Sequence, residues 1–278
     1  MHISECHVIE FLSDMFQRGV GYSAICSAKA AIINFVTLTS NTVLTGDAPL
    51  ISKFMKGVFA LRPALPRYGA TWDVQLVLNY LQKQSPPEAL SLMALTMKFA
   101  MLLVILTGHR GQTIFSIERK AIECNDKALV ISFTQRLKTT RPGRHCDEAV
   151  LPAFAKDPRL CVVKTYRAYI KRTLRYKAKP RKLFIATQKP YGPIKRETFS
   201  RWIKTVMAKA GINSERFSPH STRGAATSKA WAKGLPIGTI MKSAGWESSS
   251  TFRKFYERPI TREGAFAKTI LASASQDS

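Results

Sequence analysis

Three groups in the C-terminal part of this 278-residue chain could act together on a phosphate: His220, Arg223 and Tyr256. A guanidinium presents a rigid fork of N–H donors that matches two phosphate oxygens at once. His and Arg three apart on a helix share a face, so both can meet one anion. Trp246 adds an indole N–H donor. Tyr256 supplies an oxygen nucleophile, weak at a free pKa near 10 unless cations stabilise the phenolate. A phosphodiester attacked by it would become a covalent phosphotyrosine, with charge growing on the equatorial oxygens.

The local elements suit that arrangement. Gly234 and Pro236 read as a helix stop and restart. A short apolar helix over 237–241 and a turn at Gly245-Trp246 follow. Ser248 can cap a last turn and a half that carries Phe252, Phe255 and Tyr256. His-x-x-Arg alone is more often a solvated helix face. Within Pro219-His-Ser-Thr-Arg-Gly224, followed by the small Ala225 and Ala226, a site is the better reading. A Trp is usually core or a surface anchor. The other downstream aromatics, Phe252 and Phe255, cannot be nucleophiles, and Tyr166, Tyr169, Tyr176 and Tyr191 fall in apolar or basic segments.

Composition narrows the partner. The formal net charge is +25, from 43 Lys and Arg against 18 Asp and Glu, and 45% of residues are hydrophobic. That is a folded chain whose charge calls for a polyanion, with nucleic acid the default. Residues 135–209 hold twenty-one Lys and Arg against four Asp and Glu, a density suited to a phosphate backbone. The five scattered cysteines suggest reduced thiols. His145 and Cys146 are adjacent, with no zinc-ligand spacing around them, and no carboxylate cluster suggests two-metal chemistry. No metal or other cofactor is expected. No signal peptide is visible, and the apolar run over 99–106 is too short to cross a bilayer.

In chain order, helices are expected over 3–16, 23–36 and 50–62, then a Pro-rich basic linker at 62–67. Thr71 can cap a helix over 72–84. Ser85-Pro86-Pro87-Glu88 reads as a capping box for a very apolar helix ending near Leu106, the expected centre of the second core. Arg110 follows the break at Thr107-Gly108. The period then changes: 121–124, 128–133 and 148–151 read as three short strands. Helices are expected again over 157–176 and 195–210.

Arg110 in Thr-Gly-His-Arg-Gly, His220 and Arg223 in His-Ser-Thr-Arg, Trp246 in Gly-Trp, and Tyr256 stand in the order of the tyrosine recombinase (lambda-type phage integrase) family, which the chain resembles over nearly its whole length. The Trp246-to-Tyr256 spacing is one residue longer than the family's usual one. Where the family often has an acidic residue three positions after its first Arg, this chain has Thr113. The wording LRPALPRYGATWDV and KSAGWESSSTFRKFY is most like integrases of DIRS-type and Crypton-type eukaryotic mobile elements.

The resemblance implies a mainly α fold with a small three-stranded antiparallel sheet. A SAM-like N-terminal helical domain (1–66) would grip DNA, shorter here than the family's usual version, and a catalytic domain (67–278) would follow. It implies that Tyr256 cleaves DNA to a 3′-phosphotyrosyl link, that Arg110 and Arg223 hold the phosphate with His220 and Trp246 assisting, and that a Lys in the second strand connection protonates the leaving oxygen. Lys138 is the match, with Lys127 on the first turn its rival. Arg136, Arg141, Arg144, Lys171, Arg172, Arg175, Arg201 and Lys204 are the expected contacts to double-stranded DNA. The family works as a tetramer, exchanging C-terminal segments such as 261–272. No membrane or small-molecule substrate is expected, and an element's integrase would meet DNA in the nucleus. Two other readings stand beside this one: a DNA-binding descendant that no longer cuts, and a type IB topoisomerase-like activity.

Overall fold

The computed structural model describes residues 3–39, 44–63, 68–133, 148–174, 176, 181–246, 252–253 and 258–260. The chain divides into two compact units, Met1–Arg67 and Tyr68–Ser278.

The first unit holds three helices: α1 (Glu5–Gln17), α2 (Tyr22–Thr39) and α3 (Pro49–Leu61). Val8 and Leu12 of α1, Ile25 and Ile33 of α2, and Ile51, Met55 and Val58 of α3 form its core. By length and composition alone α2 could cross a membrane, yet Ile25, Ile33 and Val36 turn inward. Polar groups close the packing. The Glu5 carboxylate accepts the Leu50 N–H (3.1 Å) at the start of α3. Arg62 Nη1 donates to the Phe16 and Val20 carbonyls (3.0 and 2.8 Å) while its guanidinium lies 4.2 Å from the Phe16 ring centroid. This cation, read from the sequence as part of a basic linker, is a clamp within the unit.

The second unit is built around α5 (Leu92–Thr107). Twelve of its sixteen residues are buried, and a helix apolar all round belongs in the centre of a core. The helices α4 (Val74–Lys83), α6 (Gly111–Ser116), α7 (Val162–Thr173), α8 (Arg196–Lys209), α9 (Ser221–Ala232) and α10 (Ile237–Ala244) complete it. α5 packs on α6, α7, α8 and α9, and α9 packs on α10. The single charge on α5, Lys98, is fully buried. Its Nζ donates to the carbonyls of Leu81 (2.9 Å) and Gln84, closing the end of α4. Burial pushes its amine down to about 8.

Three strands, β1 (Ile122–Cys124), β2 (Ala128–Ile131) and β3 (Ala149–Pro152), pair antiparallel in that order. Ile122 faces Ile131 and Leu129 faces Leu151, which puts Leu129, Ile131 and Leu151 into the core. The expected mainly α fold with a three-stranded antiparallel sheet is the one observed. Local starts differ. Asp73, not Thr71, caps α4, its carboxylate accepting the Gln75 N–H (3.0 Å). Thr71 instead gives its N–H to the Pro259 carbonyl (2.9 Å) in a parallel bridge that adjoins Ile260. Ser91, not Ser85, caps α5, accepting the Ala94 N–H (3.2 Å). Residues Pro87–Ala89 form only a 3-10 turn.

Candidate phosphodiester site

The junction of α5, α9 and α10 fixes the site. Gly108 ends α5 in the left-handed region (φ 63°). A Cβ there would lie 3.3 Å from Thr227 Cγ2 on α9 and 3.6 Å from the Ala244 Cβ on α10, so only glycine fits without adjustment. The chain turns at Gly108 and delivers Arg110 as the N-cap of α6, half-buried. Thr113 stands where the family often has an acidic residue. It is buried, and its N–H bonds the Arg110 carbonyl (2.8 Å).

Arg223, on the first turn of α9, is fully buried. Its Nη1 donates to the Gly108 carbonyl (2.8 Å) and the Ala244 carbonyl (2.6 Å). Both carbonyls belong to helix C-termini, the negative ends of the helix dipoles, so a guanidinium is well placed there. The Trp246 ring covers it, 4.1 Å from centroid to Arg223 Cζ. Gly245, also left-handed (φ 65°), ends α10 and turns Trp246 inward, where the ring meets Phe252 (5.4 Å). The expected shared face of His220 and Arg223 is thus split by depth: His220, the α9 N-cap, is exposed, and Arg223 lies beneath it.

Arg110 and His220 line one cavity of about 290 Å³, with Gln112, Arg196 and Ser200 on its polar side and Val104, Phe199, Ile203 and Pro219 on its apolar side. The electrostatics tie the cluster together. Although the residue as a whole is open to solvent, the His220 imidazole is held below its ordinary value first by desolvation of its partly enclosed ring, then by the charges of Arg223 and Arg110. The same three causes push His109, buried beside Arg110 and 4.4 Å from the Phe133 ring, down to about 4. Both imidazoles therefore stay neutral at neutral pH, and His220 can accept a proton.

Groups outside the expected set hold the start of α9. The Trp72 indole N–H donates to Ser221 Oγ (2.9 Å), and the Tyr68 hydroxyl donates to Ser218 Oγ (3.1 Å). At the other end of α9, Lys229 pairs with Asp73 (3.0 Å). Arg196 was missed as well, since one more cation at a helix start in a basic segment carries no signal of its own.

Tyr256, Lys138, Arg136, Arg141, Arg144 and Arg175 lie outside the described residues, as do the Ser248 cap and segment 261–272. The chain on either side of Tyr256 is placed: Phe252 packs on Trp246 and Trp231, and the Arg258 N–H bonds Ser228 Oγ on α9 (3.3 Å). Lys127 is exposed on the β1–β2 turn. Arg201 and Lys204 lie on the exposed face of α8, and Lys171 is exposed on α7. Arg172 is half-buried and donates to the Leu90 carbonyl, so it ties α7 to the chain ahead of α5. Among the described residues no cluster of His, Cys, Asp and Glu is arranged to hold a metal ion, and Cys6, Cys26, Cys124 and Cys161 are free thiols.

Comparison with known proteins gives one family and one fold. The phage integrase family model matches residues 73–261. No curated protein sequence matches the chain. Among solved structures, the XerH site-specific recombinase in a post-cleavage complex with a palindromic difH substrate is similar over 99% of this chain and 72% of its own (TM-score 0.65, 12% identity). The Tn1549 transposon integrase in complex with circular intermediate DNA is similar over 96% and 85% (TM-score 0.55, 13% identity). A lambda integrase tetramer bound to a Holliday junction is similar over 94% and 67% (TM-score 0.54, 14% identity). At such identities the likeness is one of fold.

Proposed function

The chain belongs to the phage integrase family, and from that premise we propose that it is a site-specific DNA recombinase with Tyr256 as its nucleophile. The observation that carries this reading is the meeting at one junction of Arg110, from the start of α6, with His220 and Arg223, from the start of α9, the first two lining one cavity. His220 takes the Tyr256 proton. The phenolate oxygen bonds to phosphorus, and the bond to the 5′ oxygen breaks. Lys138 gives that oxygen its proton, leaving a 3′-phosphotyrosyl link and a 5′ hydroxyl. A partner strand's 5′ hydroxyl then reverses the step. Arg110 and Arg223 offset the charge that grows on the non-bridging oxygens. Bond energy stays in the phosphotyrosine, so the scheme needs no metal or nucleotide.

Residues 1–66 would grip the DNA as a SAM-like domain, and the exposed Lys171, Arg201 and Lys204 would follow its backbone. The wording of 61–74 and 242–256 supports placing the chain with DIRS-type or Crypton-type mobile elements, acting in the nucleus as a tetramer. A nicked-duplex trapping assay tests the chemistry. Wild type should give a covalent protein–DNA band that resists denaturant, and Tyr256→Phe should give none. Equal bands from both would remove Tyr256 from the role.

One observation favours a second reading. Arg223 is fully enclosed and bonded to two main-chain carbonyls, the posture of a structural residue. A descendant that binds DNA without cutting would keep that posture. It would shift DNA in a gel and yield no trapped band.

A further inference from the structure

The cavity at Arg110 and His220 has a cationic wall that the reaction scheme leaves unused. Arg196 opens α8 with its side chain exposed, and Ser200 follows one turn later, so the two share a face. Both line the cavity together with α6 and the start of α9, and among the described residues no carboxylate lines it. Its volume of about 290 Å³ equals roughly ten waters, more than the five heavy atoms of one phosphate group fill. Such a space is roughly 6–7 Å across, and successive phosphorus atoms of one strand, six covalent bonds apart, are separated by roughly the same distance, about twice the 3.4 Å axial rise. A phosphate held at Arg110 therefore leaves its neighbour at the rim of the same cavity. In the proposed mechanism Arg110 and Arg223 already take the non-bridging oxygens of the reacting phosphate. A third guanidinium, exposed on α8 and lining the same cavity, is available to that neighbour.

We propose that Arg196, with Ser200, binds the DNA phosphate adjacent to the scissile one. This rests on the recombinase reading of the site. A fork on that neighbour fixes the strand's register across Arg110, which makes Arg196 a substrate-binding residue and leaves Tyr256 chemistry to the others. The arrangement needs no movement of the core, because Arg196 is on the surface.

The full chain tests it in the trapping assay, with the scissile position mapped from the wild-type covalent product. Each phosphate next to that position is then replaced, one at a time, by a neutral methylphosphonate. Arg196→Ala should slow trapping about 10- to 100-fold at subsaturating DNA, the share of one charge-assisted contact, and little at saturation. Methylphosphonate at one neighbour should slow wild type by a similar factor and have no further effect on Arg196→Ala. Arg196→Lys should recover part of the loss, and unfolding midpoints should be unchanged. Losses that add, or no loss at either neighbour, would overturn the proposal while leaving the recombinase reading standing. No covalent product from wild type would remove both.

Discussion

At the residue scale, two histidines are kept neutral by burial first and by the guanidiniums of Arg223 and Arg110 second, and His109 shows the cost of that most directly. Released by unfolding, it binds a proton near pH 6.5; folded, only near 4. Between those values the unfolded chain holds more protons, so stability falls as the pH drops from 6.5 to 4, by about 3 kcal/mol at most for this group. His109→Gln should remove that share: the urea midpoint should fall less between pH 7 and pH 4.5 than in wild type. An equally steep fall would mean that His109 is not desolvated. His220 and Arg223 were singled out by their spacing on one helix, and Arg110 by the family resemblance. His109 was not, since its burial is decided by Phe133 and by the turn at Gly108. Nor was the depth of Arg223, which depends on carbonyls supplied by residues 115 positions earlier and 21 later.

At the scale of elements, the ends of α5 and α10 matter more than their middles. The periodic and apolar runs announced α5, α8 and the three strands. The caps were misread at Thr71 and Ser85 because cap signals are one residue long, and tertiary partners such as Pro259 recruit the candidates for other work. Gly108 is where two helices and an arginine meet. Gly108→Ala should cost about 2 kcal/mol, from a left-handed backbone that Ala resists and a 3.3 Å approach to Thr227. Gly57, mid-helix in α3 with open space around it, should behave oppositely, Ala adding up to about 1 kcal/mol. Chemical denaturation of the two variants beside wild type measures both signs. A Gly108→Ala protein as stable as its parent would show that the junction adapts freely.

At the scale of the whole molecule, charge was the most readable property and its assignment to individual residues the least. Arg62 and Arg172, both cationic in basic stretches, are bonded to carbonyls of their own unit, whereas Arg201 and Lys204 face outward. Periodicity cannot separate these fates, because a long cationic side chain reaches either solvent or a neighbouring carbonyl from the same position. Enough exposed cations remain for a large counterion effect. Affinity for duplex DNA should drop at least about a thousandfold between 50 and 200 mM salt if six or more phosphates are neutralised. A fluorescence anisotropy titration across that range would read it, and a flat response would argue against a broad backbone contact.

The bonds of Arg223 to Gly108 and Ala244 bear on how such a gene could age. If selection for strand cutting lapsed, this arginine would still be retained, because the protein needs it to stay folded. Arg110 and His220 lie nearer the solvent and would drift first. In a lineage of copies, then, an intact arginine at 223 says only that the product folds, and the state of 110 and 220 says whether it has been working.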